Sequence, residues 1–256
     1  MNAPLADTLA YAVLVTVRLA AFFLVATPFN LRGFPIIGKL GLALLIALLV
    51  VPARPERGAV TEAMFPLAVL SAVFTGLLLG FAVQVFFALF ETAGGLIDYQ
   101  MGMAIVSVID PATGAGQPII GQLKTLFALF VFFVSGAHRT LIAAVLKSFD
   151  TLAVERVLSI DGPLIPRLVD WAAQTFVFGF LFAAPIVAVL FILDVAIALL
   201  SRAVPQMNVF VVGLPLKIIV AHLALLAFLG GLALALEPLF DRLTAAVLEL
   251  PLGVGG

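Results

Sequence analysis

Long apolar stretches alternate with short polar connections along almost the whole chain. Apolar runs occupy residues 9–31, 36–52, 65–90, 123–146, 171–200 and 209–236. A helix rises about 1.5 Å per residue, so about 20 residues cross a hydrocarbon layer of about 30 Å. Five runs are long enough to span such a layer, and the run 36–52 is marginal. Because backbone groups in lipid must hydrogen bond within their own segment, the pattern predicts helices joined as hairpins.

Composition supports a membrane location. The hydrophobic fraction is 64% and the charged fraction 11%, whereas a soluble domain is roughly half apolar and a quarter charged. These values predict an all-α integral membrane protein. A net charge of −1 offers no basic field for nucleic acid. The chain has no cysteine, which excludes disulfides and thiolate metal sites.

The stretch from 91 to 122 interrupts the regular pattern. It reads ETAGGLIDYQMGMAIVSVIDPATGAGQPIIGQ and is rich in glycine. The residue before a proline is disfavoured in a helix, so Asp110-Pro111 favours a turn. We expect a moderately apolar helix over 95–109, a loop over 110–118 and then another helix. Irregular backbone at membrane depth must be buried by protein or line a watery cavity. The loop therefore either faces the inside of an assembly or lies outside the membrane.

A second irregular stretch, SRAVPQMNVFVVGLPLK (201–217), separates the last two apolar runs. Pro205 is expected to end the incoming helix, because proline lacks a backbone donor and clashes with the preceding turn. The side chains of Gln206 and Asn208 can then hydrogen bond the freed backbone groups. Arg202, Gln206 and Asn208 are also candidates for contact with a partner protein, and plain capping of the tip is the alternative.

Two charges in the last two runs lie at matched depth. Asp194 precedes Pro205 by 11 residues and Lys217 follows it by 12, so in a hairpin each lies about 17 Å from the tip. We predict an ion pair between them, which would offset the cost of burying either charge alone. The alternative is that each pairs with a neighbouring subunit. Lys124, Arg139 and Lys147 lie near the ends of runs, where long side chains are expected to reach the membrane surface.

Two further patterns concern packing and chemistry. Ala72, Gly76 and Gly80 form a stripe of small residues that would let another helix approach closely, unless the glycines are there by chance. The chain contains no P-loop, GxGxxG, HExxH, GxSxG or CxxC motif. Neither histidine has a carboxylate or a second histidine at i+3 or i+4, so no metal site is predicted. These observations predict a protein without catalytic activity or cofactor.

The two irregular stretches resemble the FliR family of the flagellar type III export gate. TAGGLIDYQMGMAIVSVIDPATGAGQP (92–118) is similar to the family's succession of TAGE, QMG, DP and a later proline, which leads into a helix and a turn containing Gly136-Ala137-His138. The stretch 202–216 is similar to R-x-x-P-Q-x-x-x-F-V-x-G-x-P-L. The length and the hydrophobic layout also fit over nearly the whole chain.

The resemblance implies a fold and a function. It implies a FliP-like helical part over 1–165 and a FliQ-like hairpin with a short C-terminal tail over 166–256. The implied function is that of a subunit of the channel that conducts unfolded flagellar substrates across the inner membrane, at the flagellar basal body. FliP-like and FliQ-like subunits, FlhA-like and FlhB-like components and membrane lipid are the implied partners. The alternatives are the equivalent subunit of a virulence injectisome, a carrier of ions or small solutes, and a passive membrane scaffold.

The resemblance also implies roles for particular residues. The loop between the third and fourth major segments plugs the closed pore in this family, and its counterpart here covers 106–117. The implied plug residues are Val106, Val108, Ile109, Asp110, Pro111, Gly114, Gly116 and Gln117. Met101 and Met103 are expected in the neighbouring pore wall, because methionine side chains are adaptable, with core packing as the alternative. The hairpin tip at Arg202, Pro205, Gln206 and Asn208 is expected to meet the FlhB-like component.

Overall fold

The structure is a computed structural model that describes residues 5–30, 35–53, 62–103, 119–151, 164–206 and 208–249. Helix is the only regular structure in these ranges, which confirms the all-α prediction. The described residues form seven α-helices: α1 (Leu5–Val25), α2 (Ile36–Ala53), α3 (Phe65–Gln100), α4 (Ile119–Val134), α5 (Ala137–Thr151), α6 (Leu164–Ala203) and α7 (Val209–Glu249). Two short 3-10 turns, Thr27–Phe29 and Glu62–Met64, precede α2 and α3.

The lengths of the helices fit a membrane protein. Among the described residues, α1, α3, α6 and α7 are long and apolar enough to cross a membrane. A fifth span results if α4 and α5 count as one interrupted span, and α2 is a shorter apolar helix. When α4 and α5 count as one span, the five spans correspond to the five long apolar runs, and α2 corresponds to the marginal run 36–52.

The fourth apolar run is not one continuous helix, contrary to the expectation for 123–146. It divides at Ser135 and Gly136 into α4 and α5. Gly136 has φ +79°, a left-handed conformation that only glycine adopts without strain. Hydrophobicity alone does not reveal the break, because apolar residues flank it on both sides.

Helix α3 is longer than its apolar run and absorbs the start of the helix predicted over 95–109. It continues through Gly94 and Gly95 and ends at Gln100. A Cβ at Gly94 would clash with the backbone of Gly121 and would lie 2.8 Å from the carbonyl carbon of Ile120. Gly94 therefore permits close contact between α3 and α4, and this packing compensates for its low helix propensity.

Helix α7 extends past the last apolar run. It contains Pro215 and Pro238 and reaches Glu249. Residues 237–249, which follow the last apolar run, thus continue the helix. Proline removes one backbone hydrogen bond from a helix interior, but the flanking segments of α7 remain helical on both sides of each proline.

The described residues group into two compact units. The first unit draws on Met1–Phe86, Gly136–Ala172 and Asp241–Gly256, and the second on Phe87–Ser135 and Ala173–Phe240. The units therefore combine segments that are distant in the sequence. The predicted boundary at 165/166 separates a FliP-like part from a FliQ-like hairpin. The compactness of the units does not test this resemblance, so the boundary stays a prediction.

In the first unit, the small-residue stripe of α3 lies against α1. Ala72 is fully buried. A Cβ at Gly76 would lie 2.8 Å from Cβ of Ala21, and one at Gly80 would lie 3.0 Å from the Phe22 carbonyl oxygen. The stripe thus occupies the close helix contact that small residues allow.

A buried arginine and a tryptophan provide polar anchors within the first unit. The Arg18 guanidinium lies 4.5 Å from the centroid of the Phe149 ring and donates to the Ser148 carbonyl at 3.4 Å. Trp171 donates from Nε1 to the Ala82 carbonyl at 3.1 Å. These contacts bring α1 together with α5, and α3 together with the first turns of α6.

The core of the second unit draws on α3, α4, α6 and α7. Its buried members are Ala93, Ile97, Met101, Ile120, Ala183, Ile186, Leu190, Ala221, Ala224 and Leu225. Met103 and Phe182 are among the partly buried side chains that pack against it. This core surrounds the end of α3 and the start of α4, where the polar residues described next converge.

Candidate functional site at the end of helix α3

The structure brings Asp194 and Lys217 together. Lys217 Nζ lies 2.5 Å from Asp194 Oδ1, and their side chains are 20% and 34% exposed, respectively. The pair joins α6 to α7 within the second unit, at the matched depth expected from the positions of the two residues. Both charges are thus paired within one chain.

Gln100 adds a third helix to this pair. Its side-chain Nε2 donates to Asp194 Oδ2 at 2.8 Å, and its backbone carbonyl accepts from Lys217 Nζ at 3.4 Å. We name Gln100, Asp194 and Lys217 the Gln100 cluster. Sequence reasoning noted Gln100 only as the first residue of the QMG motif and did not identify its partners, which lie 94 and 117 positions further along the chain.

The backbone explains why the Gln100 carbonyl needs a donor from elsewhere. Helix α3 ends in a Schellman motif, in which Met103 N–H bonds the Asp98 carbonyl and Gly102 N–H bonds the Tyr99 carbonyl. Gly102 has φ +82°, as the motif requires. The carbonyls of the last helical turn lack partners within the helix, and Lys217 supplies one to Gln100.

The two methionines predicted for the pore wall flank Gly102. Met101 is 1% exposed and belongs to the core of the second unit. Met103 packs against that core. Met101 is therefore part of this core, and Met103 is partly buried at its edge. The plug residues within 106–117 lie outside the described residues.

Asp98 is a second polar residue at this end of α3. It is 6% exposed, and its Oδ2 accepts from the Ile120 N–H at 3.0 Å. The first N–H groups of a helix have no partner within it, so Asp98 caps α4 from another helix. An aspartate inside an apolar segment was the available signal, but the sequence did not identify its partner.

The expectation that long charged side chains near the ends of apolar runs reach the membrane surface is wrong for Lys124. Arg139 and Lys147 are exposed, as predicted, but Lys124 is only 3% exposed. Its Nζ donates to the Phe182 carbonyl of α6 at 3.3 Å. Phe182 lies three residues before Pro185, where α6 lacks a backbone donor. Lys124 is thus a buried cation that contacts α6 next to its proline.

The tip between α6 and α7 is exposed. Arg202, Pro205, Gln206 and Asn208 are all accessible, and α6 ends at Ala203, two residues before Pro205. Asn208 Oδ1 accepts from the N–H groups of Phe210 at 3.1 Å and Val211 at 3.3 Å. Asn208 is therefore the N-cap of α7. Arg202 and Gln206 are accessible to a partner.

The described residues contain no group of three or more His, Asp or Glu side chains that could hold a metal ion. The polar groups converging at the end of α3 bond one another and helix ends. This arrangement can fix the relative positions of α3, α4, α6 and α7.

The fold and the apolar helices define an all-α integral membrane protein built of helical hairpins. The family model for bacterial export proteins, family 1, matches residues 9–243. The flagellar biosynthetic protein FliR of Bacillus subtilis (strain 168) is 34% identical over 234 residues, which cover 89% of each chain. FliR of Escherichia coli (strain K12) is 30% identical over 240 residues, 92% of each chain. The Yop proteins translocation protein T of Yersinia pestis is 28% identical over 191 residues, 73% of each chain.

The match of the family model covers far more than half of the chain, and the two FliR proteins cover about nine-tenths of it. The chain belongs to the FliR family of bacterial export proteins. The resemblance inferred from the two irregular stretches is thereby confirmed.

Proposed function

We propose that this protein is a non-enzymatic subunit of the flagellar type III export gate and forms part of the channel that conducts unfolded flagellar substrates across the inner membrane. One observation carries the proposal: the family match runs from residue 9 to residue 243. It therefore includes the Gln100 cluster, the Asp98 cap and the hairpin tip as well as the apolar helices. The protein is located in the bacterial inner membrane, at the flagellar basal body.

Export components work with other proteins of the export apparatus. We propose FliP-like and FliQ-like subunits as the direct neighbours. Large apolar side chains are exposed along α6 and α7, and they need lipid or protein to cover them. They include Phe176, Phe180, Phe191, Ile192, Phe210, Leu223, Leu226 and Leu234. Neighbouring hairpins of similar composition would bury these faces.

We propose further roles for the segments flanking the Gln100 cluster. Residues 106–117 act as the plug of the closed pore, and a segment rich in glycine suits an element that must move for each substrate. Met101 and Met103 form an adaptable wall next to the plug. Arg202 and Gln206 contact an FlhB-like component, and an FlhA-like component adjoins the same assembly.

The equivalent subunit of a virulence injectisome is the second candidate, because the Yersinia relative is a translocation protein by name. The flagellar function is favoured by both identity and coverage. The Bacillus subtilis and Escherichia coli FliR proteins reach 34% and 30% identity over 89% and 92% of this chain, against 28% over 73% for the Yersinia protein.

Deletion of the gene in the source bacterium tests the proposed function. We expect loss of swimming and of flagellar proteins in the medium, and restoration of both by a plasmid-borne copy. Secretion through the general pathway serves as the control and should be unchanged. Normal swimming after deletion would refute the flagellar function, and loss of another type III secretion activity instead would favour the injectisome.

A further inference from the structure

The Gln100 cluster fixes which of its two charged residues must be positive, whereas a simple ion pair does not. An ion pair needs only opposite charges at a short distance, and either residue can carry either sign. Here the cation also serves the Gln100 carbonyl at 3.4 Å, and the anion also accepts from the Gln100 amide at 2.8 Å. The three groups therefore satisfy one another only when the cation lies next to the end of α3.

The polarity of α3 reinforces this arrangement. The carbonyl end of a helix carries a partial negative charge, which favours a nearby cation and disfavours an anion. Because the Schellman motif already satisfies the Asp98 and Tyr99 carbonyls, the Gln100 carbonyl is the group that Lys217 meets. A backbone carbonyl cannot turn to become a donor, whereas a side-chain amide can rotate. The backbone of α3 thus fixes which side of the pair must be positive.

We propose that Gln100 is a positioning residue that locks the α6–α7 hairpin onto the end of α3 by contacting both members of the Asp194–Lys217 pair in a fixed orientation. In the proposed gate, this lock holds the second unit in the arrangement required for export. The part that concerns export rests on the proposed function. The part that concerns the orientation of the charges is a property of the chain and can be measured without any export activity.

Exchanging the two charges tests the orientation. The double variant Asp194→Lys/Lys217→Glu keeps one cation and one anion, and glutamate, whose side chain is longer than that of aspartate, directs a carboxylate toward the Gln100 carbonyl that now accepts from Lys217. We expect export to fall by roughly tenfold or more, because a charge-assisted hydrogen bond is lost and a repulsive contact replaces it. Lys217→Arg keeps the positive charge and several donors, so it should retain most of the wild-type export.

The Gln100 side chain is tested separately against a matched control. Gln100→Met removes the amide that donates to Asp194 and keeps a side chain of similar length. Gln84 is an exposed glutamine on the same helix, and Gln84→Met should behave as wild type. We expect Gln100→Met, unlike Gln84→Met, to lower both export and the thermal unfolding midpoint of the full-length protein purified in detergent.

The outcomes distinguish the lock from the proposed function. If the charge-exchanged variant matches wild type in export and unfolding midpoint, a simple ion pair suffices and the lock is refuted. Identical unfolding midpoints for Gln100→Met and Gln84→Met would also overturn it. If deletion of the gene leaves export unchanged, the proposed function fails. The unfolding midpoints then still decide whether Gln100 locks the hairpin. Loss of folding in the charge-exchanged variant would support the lock if the Lys217→Arg variant still folds.

Discussion

Asp98 illustrates how one side chain can determine local geometry within an apolar protein. Burying a carboxylate is costly unless hydrogen bonds compensate for the lost hydration. The Ile120 N–H group provides one such bond, and the N-terminus of α4 adds a favourable partial charge. In exchange, Asp98 satisfies one N–H donor at the start of α4 that has no partner within that helix. The residue therefore fixes where α4 begins relative to α3.

Substitution of Asp98 should separate hydrogen bonding from charge. Asp98→Asn keeps an oxygen that can cap α4, whereas Asp98→Leu removes every acceptor. We expect Asp98→Leu to destabilise the protein by about 1–2 kcal/mol, the usual cost of losing a cap, and Asp98→Asn to cost less. Unfolding of the purified protein in detergent measures the difference. Asp170→Leu, at an exposed position of α6, is the control, and equal stability of the two Asp98 variants would contradict the capping role.

Sequence reasoning at the residue scale succeeded where geometry depends on local rules. The helical rise is constant, so the equal spacing of Asp194 and Lys217 from Pro205 was enough to place them at one depth. Gln100 and Asp98 were beyond such reasoning. Gln100 meets Asp194 across 94 positions of sequence, and only the packing of α3 against other helices reveals that contact.

At the scale of elements, tertiary packing changed two boundaries that local propensity had suggested. The sequence predicts an apolar helix over 65–90 and a separate helix over 95–109, and Gly94 and Gly95 have low helix propensity, about 1 kcal/mol each relative to alanine. Instead α3 continues to Gln100, because Gly94 allows α4 to approach. Conversely, Gly136 lies inside a continuous apolar run and separates α4 from α5. Hydrophobicity predicts that a segment is buried but does not reveal where a buried helix breaks.

The segment between α3 and α4 should control the resting permeability of the gate. Deletion of 110–117 is expected to make the assembled gate leak small ions, because the proposed plug would no longer close the pore. Conductance of the purified gate in planar bilayers measures the leak. A variant in which a glycine-serine linker of equal length replaces these residues separates the role of the plug from chain length. Conductance at the closed baseline after the deletion would refute the plug.

At the scale of the whole molecule, the sequence predicted the class of protein and the succession of hairpins. The apolar runs anticipated the spans, because the bilayer imposes both helix and length. The grouping into two units could not be anticipated. Each unit combines segments from different parts of the chain. A helix that is apolar on every side has no amphipathic pattern, so its sequence does not show which surface faces a neighbouring helix.

The exposed apolar faces of α6 and α7 connect this fold to assembly. Side chains such as Phe180, Phe210 and Leu226 are more than half exposed. Contact with partner hairpins would bury them and would hold the chain in a hetero-oligomer. The exposed faces therefore support the claim that this protein works as one subunit of such an assembly.

Native mass spectrometry after co-expression with the FliP-like and FliQ-like proteins of the same bacterium tests that claim most directly. We expect one defined complex that contains all three proteins and from which this chain does not dissociate during purification in mild detergent. Expression without the partners serves as the control and should yield no such species. Recovery of this chain as a well-behaved monomer in the presence of both partners would show that it is not a subunit of that complex.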